Sequence, residues 1–494
     1  LNPTTVMPVM PVVSALFENA DRLPNRLALI ADNEAVTYGE LRQRILSAHA
    51  ILKDMGVEPG DRVVLAASTE PEFVYGYFAV HLLGAICVPI DPKTSAERLS
   101  YIKERTDAKW LFGIGDPAHK DSTRSLDTLG AVVKASEDVR DPEPDAIADL
   151  MFTSGTTGEP KGVTLLHRNI ASAARQINEF IGNAAEDVEV MPLPLSHSFG
   201  LGRLRCNFVA GSTVVLVNGF TVPSRIFEAL SRFSATGLVF VPAAFGLLQK
   251  ASPNTIGKFA RQLKYIEIGS SPMPLEHKEA LCTLLPNTRI CMHYGLTEAS
   301  RSAFIEFHRD GHKLNSIGKP TPGVQIMVAD GRARPVADEQ EGNLWVRGKH
   351  RFFGYWRDEG RTEEVLNDEW FNTEDLGHRD KNGYFYLHAR ESDMINVGGR
   401  KVSPVEIERL LEEHPGVEQC ACVGVSDPRG IADVVIVAYL VSSDVGSGRP
   451  TPVQLAKLLR GRVEPYKMPA SYRWIDRLPR TESGKLKRSA LKDA

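Results

Sequence analysis

The residues best suited to do chemistry lie in one stretch, Leu150-Met-Phe-Thr-Ser-Gly-Thr-Thr-Gly-Glu-Pro-Lys-Gly-Val163. An apolar strand end runs into Thr153, Ser154, Gly155, Thr156, Thr157 and Gly158, then Pro160, Lys161 and Gly162. Glycines let backbone N–H groups approach an anion, hydroxyls add donors, and a lysine adds positive charge. The order predicts a phosphate cradle. Its spacing from Gly155 to Lys161 departs from G-x-x-x-x-G-K-[ST], so the cradle is not of the Walker type.

A loop of this kind needs strands and helices to hold it. Residues 38–55 carry apolar side chains at helical spacing (Leu41, Ile45, Ala48, Ile51, Leu52), and residues 62–67 read as a short buried strand. Residues 73–83 read as a helix and 85–90 as a strand. Segments 210–217, 236–241, 265–269 and 289–294 are rich in β-formers. Strands alternating with helices predict an α/β architecture with largely parallel sheets. After about residue 317 the rhythm changes to short strands and turns, at 325–329, 342–347 and 383–388, which predicts a β-rich subdomain. The last hundred or so residues read as an α+β unit: a helix at 404–413, strands at 420–425 and 433–441, and a helix at 452–463. The expected division is a large multi-subdomain domain at 1–392, with its β-rich part at 317–390, and a small mobile domain at 393–494.

Composition narrows the function classes. The chain has 494 residues, more than one typical domain of roughly 150. With 58 Lys and Arg against 62 Asp and Glu, the net charge of −4 excludes nucleic-acid binding by bulk electrostatics. Hydrophobic residues at 43% and charged residues at 24% are ordinary globular values. No apolar run approaches the roughly 20 residues of a membrane span, and no signal-peptide pattern opens the chain, so a cytoplasmic location is expected. Six cysteines form no disulfide framework. Cys420 and Cys422 alternate within an apolar strand and are expected to fill one face of a core.

Residues 153–162 resemble the signature of the adenylate-forming superfamily: acyl-CoA synthetases, peptide-synthetase adenylation domains and firefly-type luciferases. Further motifs of the family recur in order over nearly the whole chain. The resemblance implies that ATP, with Mg²⁺, activates a carboxylic acid as an acyl-adenylate, and that a nucleophile then takes the acyl group. It implies that Tyr294, in Tyr294-Gly-Leu-Thr-Glu298, packs on adenine beside His293 and Gly295, that Thr297 meets the α-phosphate, and that Glu298 holds Mg²⁺ together with Thr153. A hard cation that bridges phosphates suits carboxylate oxygen. Gly269-Ser-Ser-Pro272 resembles the turn beside adenine and acid, so Ser270, Ser271 and Pro272 join the ATP site. Asp375 and Arg390 resemble the pair at the ribose, where an ionised carboxylate accepts two hydroxyl hydrogen bonds. Asp393 stands at the family's hinge. Lys485, in Thr481-Glu-Ser-Gly-Lys485, resembles the mobile lysine that stabilises charge during attack at phosphorus. Gly398, Gly399 and Lys401 resemble the acceptor tunnel. His197, in Pro194-Leu-Ser-His-Ser-Phe-Gly200, resembles the gate between the ATP and acid sites.

The expected acid pocket comprises Phe199, Val241, Gly269 and Gly295, mostly small or apolar, which suits a hydrophobic aliphatic, cyclic or aryl acid. No carboxylate follows His197 to pair a substrate ammonium, which disfavours an amino acid. Arg203 and Arg205 are expected on a solvated helix face, the alternative being a pair with a second polar group of the acid. The acceptor expected first is the thiol of CoA, although Asp427-Pro-Arg-Gly-Ile-Ala-Asp433 departs from the Gly-Glu that follows Asp-Pro in many CoA ligases. The alternatives are an amine, giving an amide, or a separate carrier protein, since the chain ends soon after Lys485. A luciferase-type monooxygenase is a remote alternative. A non-catalytic nucleotide sensor would have no use for Lys161, Glu298, Asp375 and Lys485 together.

Overall fold

The computed structural model describes residues 9–31, 34–114, 123–153, 160–390, 393–397, 400–426, 434–443, 448–480 and 486–492. Two compact units divide the chain. The first runs from the N-terminus to Ile326, apart from part of the phosphate loop, and adds Val346–Phe371; the second holds Met327–Trp345 and the chain from Asn372 onward.

The first unit is built on two sheets. The larger has nine strands in the order Lys319–Pro320, Ala303–Glu306, Arg289–Tyr294, Tyr265–Ile268, Gly237–Phe240, Val188–Met191, Thr213–Leu216, Leu27–Ala31 and Glu34–Thr37. Its inner strands, from Arg289–Tyr294 to Leu27–Ala31, run parallel, and the edges are antiparallel. The other sheet has seven strands in the order Gly354–Tyr355, Lys161–Leu166, Ile147–Thr153, Ile86–Ile90, Arg62–Ala66, Trp110–Phe112 and Thr123–Arg124. Parallel strands covered on both faces read as unbroken apolar runs, and Ile86–Ile90 is buried throughout. The expected α/β architecture is the observed one.

Local sequence accounts for the element ends. The helix Tyr38–Asp54 starts at a capping box. There Thr37 Oγ1 accepts the Glu40 N–H at 3.2 Å, and Glu40 Oε2 accepts the Thr37 N–H at 2.9 Å. The segment expected as strand from residue 210 opens instead with the end of the helix Ser198–Ala210, which stops at Gly211 with φ 78°, a left-handed cap that suits glycine. Likewise Gly383, with φ 81°, makes a turn, and the strand expected there is Phe385–Arg390. The helix expected at 452–463 is Pro452–Leu459, because Arg460 is extended.

Gln325–Ala329, Gly342–Arg347, Trp370–Arg379 and Phe385–Arg390 neighbour one another in a further sheet. The hairpin Ile395–Val397/Arg400–Val402 follows, then the helix Pro404–Glu412 and a three-stranded sheet of Val417–Ser426, Val434–Ser442 and Ser471–Trp474. Cys420 and Cys422 are buried in one core with Ile407, Leu411 and Ala438, as the alternation predicts. Among the described residues no His, Cys, Asp or Glu cluster could hold a metal by itself, and no helix is long and apolar enough to cross a membrane.

Candidate active site

The strands Ile147–Thr153 and Lys161–Leu166 form an antiparallel hairpin in which Thr153 stands directly opposite Lys161 and Phe152 opposite Gly162. The ends of the phosphate loop are therefore pinned together by strand pairing. Ser154, Gly155, Thr156, Thr157 and Gly158 lie outside the described residues. A Cβ on Gly162 would stand 3.2 Å from both the Phe152 ring and Trp356 Cβ. This close approach favours glycine. The short strand Gly354–Tyr355 pairs with the hairpin, Tyr355 opposite Val163. The Lys161 ammonium sits 5.5 Å from the centre of the Tyr355 ring, within cation–π range. The Tyr355 hydroxyl donates to Glu298 Oε1 at 2.9 Å. The Phe352 N–H donates to the Glu298 carbonyl at 2.7 Å, fixing the backbone beneath that carboxylate.

Lys161 and Glu298 are thus joined through Tyr355, a residue the sequence did not single out, and Thr153 stands opposite Lys161 in the hairpin. Its hydroxyl partner is 57 positions away, and nothing in local spacing announces the contact. The donor set fits Mg²⁺. The Glu298 carboxylate is half-buried and is a hard ligand, and Mg²⁺ ordinarily takes one or two carboxylates and completes its shell with phosphates and water. Thr297 reaches Ser198 Oγ at 3.5 Å. With Ser300 and His350 it borders a cavity of roughly 20 Å³, room for about one water molecule.

Of the residues expected in the acid wall, Phe199, Gly269 and Gly295 lie around His293 and Arg301. Ser270 follows the strand Tyr265–Ile268 with φ 78°, a left-handed backbone that non-glycine residues adopt at a cost; Ser271 and Pro272 continue this turn. A Cβ on Gly269 would fall 2.0 Å from the His293 ring, and one on Gly295 would fall 2.3 Å from the Arg301 backbone nitrogen. The Phe199 ring meets His293 edge-on at 4.7 Å and carries the Arg301 guanidinium 4.8 Å from its centre. Tyr294, buried, ends the strand that carries His293. His197 is the N-cap of the helix Ser198–Ala210 and is half-buried. Val241 caps the helix Pro242–Ala251 and packs against the apolar core that holds Phe240 and Phe245.

The solvated face expected for Arg203 and Arg205 is absent: both are buried. The reason is pairing across the fold. Arg203 binds Glu189 and lies 3.3 Å from Glu267, while Arg205 pairs with Asp149 and donates to the Tyr77 hydroxyl at 2.9 Å. His81 Nε2 adds a 3.1 Å contact to Asp149. Burial by itself would raise the Asp149 and Glu267 carboxyls. The guanidiniums of Arg205 and of Arg301 and Arg203, respectively, outweigh it and hold both below the usual range, aided by His81 and His293. Burial lowers His293 more than Glu267 raises it, so the imidazole is neutral at neutral pH.

In the second unit, Asp375 is buried on the strand Trp370–Arg379, opposite Arg390 in the pairing with Phe385–Arg390. Its N–H donates to Thr373 Oγ1 at 3.2 Å, and the preceding Glu374 has φ 59°. Asp393 lies 3.7 Å from Arg488 Nε, and Arg488 also binds Glu408 and, at 3.2 Å, the Cys422 carbonyl. Lys401 pairs with Asn396 across the hairpin. Gly398, Gly399, Lys485 and residues 427–433 lie outside the described residues.

Two family models match the chain: "AMP-binding enzyme" over residues 16–356, and "AMP-binding enzyme C-terminal domain" over residues 406–485. The chain belongs to the AMP-binding enzyme family. It is an AMP-forming, adenylate-forming ligase with the large N-terminal α/β domain and small C-terminal domain of that family. A feruloyl-CoA synthase from Amycolatopsis sp is 31% identical over 474 residues, covering 94% of each chain. A fatty acid–[acyl-carrier-protein] ligase from Streptomyces coeruleorubidus is 30% identical over 498 residues, covering 96% of this chain and 94% of that one. The structure of o-succinylbenzoate CoA synthetase from Bacillus subtilis in complex with ATP and magnesium ion aligns with a TM-score of 0.85 at 29% identity, covering 97% of this chain and 99% of that one.

Proposed function

We propose that this ligase uses MgATP to activate a hydrophobic carboxylic acid, aliphatic, cyclic or aryl, and passes the acyl group to the thiol of CoA. The observation that carries this reading is the meeting of Lys161 and Glu298 on Tyr355 at the base of the phosphate hairpin, with Thr153 directly opposite Lys161. In the first half-reaction a carboxylate oxygen of the acid attacks the α-phosphorus and pyrophosphate leaves. Lys161 and the loop take the phosphates, Thr297 orients the α-phosphate, and Lys485 stabilises the charge that builds on its oxygens. Glu298, with Thr153, would hold the metal, which supplies charge neutralisation at the phosphates. Asp375 and Arg390 fix the ribose. His197 gates the acid, whose remainder lies along Phe199, Gly269 and Gly295. In the second half-reaction the thiol attacks the acyl carbonyl and AMP leaves, with Gly398, Gly399 and Lys401 lining the approach.

The similarity to a ligase that loads a carrier protein supports a second acceptor, phosphopantetheine on a separate carrier. One experiment tests all of this. Exchange of labelled pyrophosphate into ATP should require both Mg²⁺ and an acid from a broad panel, and CoA should then convert the adenylate to a thioester. Exchange without acid, or none with any acid, would refute adenylation. Release of AMP only with a carrier protein or an amine would reassign the acceptor.

A further inference from the structure

Tyr265, Glu267 and Gly269 occupy alternate positions along one strand and its end, and so share a face. The helix Ser198–Ala210 lies over that face with Phe199, Arg203 and Asn207 at four-residue spacing. Between them runs a closed layer of charge. Glu189 accepts from Arg203 Nε at 3.1 Å, Asn207 Nδ2 at 2.8 Å and the Tyr265 hydroxyl at 2.8 Å. Glu267 accepts from Arg301 Nε at 3.0 Å, and its carboxylate lies 2.7 Å from His293 Nδ1 and 3.3 Å from Arg203. Arg203, Arg301, Glu189 and Glu267 are buried. Two guanidiniums face two carboxylates, with a neutral imidazole at the outer end.

Protein acceptors take most of the N–H donors of both arginines. Arg301 donates from Nε to Glu267, from its first terminal nitrogen to the Ser198 carbonyl and Ser300 Oγ, and from its second to the Phe199 carbonyl at 2.9 Å. Arg203 donates from Nε to Glu189 and from both terminal nitrogens to Asn183 Oδ1, at 3.2 and 3.3 Å. The layer borders the expected acid wall directly, since His293 and Arg301 are the groups that touch Phe199, Gly269 and Gly295. A second anionic group brought there would lose its water and meet no net positive charge, a costly burial.

We propose that Glu189 and Glu267, by cancelling Arg203 and Arg301, make this wall select acids whose remainder is uncharged, with Glu267 the specificity-determining residue. This rests on the acyl-adenylate reading above. The test uses stable acyl-sulfamoyl adenosines in pairs that differ only in tail charge: 4-carbamoylbenzoyl against 4-carboxybenzoyl, and 6-amino-6-oxohexanoyl against 5-carboxypentanoyl. The wild-type protein should bind the neutral member of a pair at least about tenfold tighter by calorimetry. Glu267→Gln removes one negative charge and should shrink that ratio about tenfold. Glu267→Gln/Arg301→Gln restores the balance and should bring the preference back. Equal or tighter binding of the carboxylate member by the wild type, which needs no variant to fold, would overturn the proposal. So would an unchanged ratio in folded Glu267→Gln. Absence of pyrophosphate exchange with every acid of the panel would sink the acyl-adenylate reading itself, whereas a protein that exchanges but binds no member of either pair would overturn this inference alone.

Discussion

Tyr355→Phe isolates one hydrogen bond. The hydroxyl donates to an ionised carboxylate at 2.9 Å, a charge-assisted bond of the kind worth about 1.5–3 kcal/mol. Glu298 is half-buried, so solvent replaces part of the loss and the lower figure applies. About 1.4 kcal/mol is a tenfold change in an equilibrium constant. Phenylalanine keeps the ring beneath the Lys161 ammonium, so phosphate contacts through the lysine survive and the loss falls on the orientation of Glu298. Pyrophosphate exchange titrated with Mg²⁺ at fixed ATP should therefore show the half-saturating cation concentration rising about tenfold, with exchange near wild type at saturation. Electron paramagnetic resonance of Mn²⁺ binding to the enzyme–ATP complex should report the same shift without turnover. Unchanged cation dependence, or a loss that no cation concentration restores, would refute the assignment of Glu298 and its support by Tyr355.

Four further outcomes are expected. Asp375→Ala should weaken nucleotide binding about a hundredfold, as two charge-assisted bonds of about 1.5 kcal/mol each are lost, read by fluorescent-ATP displacement. Lys485→Ala should slow adenylation by about 2.7–4 kcal/mol of barrier yet spare thioester formation from supplied adenylate, while a bulky residue at Gly399 should do the reverse in single-turnover assays. Gly269→Ala puts a methyl 2.0 Å from the His293 ring and should raise the acid KM about tenfold in pyrophosphate exchange, the overpacking range. Burial holds His350 at a pKa of about 4, against 6.5 for the free side chain. The folded form is then neutral while the unfolded chain takes a proton, so stability falls as pH drops from about 6.5 towards about 4, by about 2 kcal/mol at pH 5. In chemical denaturation His350→Asn should remove that part of the acid sensitivity.

What was legible in the sequence was what local patterning encodes. The strand Ile86–Ile90 announced itself because a parallel strand covered on both faces is a continuous apolar run, and the helix Tyr38–Asp54 because its apolar residues recur at helical spacing. The phosphate hairpin was legible because hydroxyls, glycines and a lysine crowd into a few positions. Arg203 and Arg205 were misread because charge on a helix is ordinarily solvated. The carboxylates that bury them stand on other strands, Asp149 being 56 positions from Arg205. The same holds for Glu267 and Arg301, 34 positions apart, and for Tyr355. Side chains that depend on a distant partner of opposite polarity leave no periodic trace.

The Asp149–Arg205 pair has a geometric consequence. Asp149 lies on the strand that ends at Thr153, where the phosphate loop begins, and Arg205 lies on the helix that begins at Ser198, next to His197. One buried ion pair, braced by His81 and Tyr77, thus spans the frame between the element that takes the phosphates and the element proposed to wall the acid. In-line attack of a carboxylate on phosphorus requires the reacting atoms within about 3–3.5 Å, and a misplacement of about 1 Å can cost a hundredfold in rate. The pair acts as a spacer gauge: it sets how far apart two substrates that must react with each other are held.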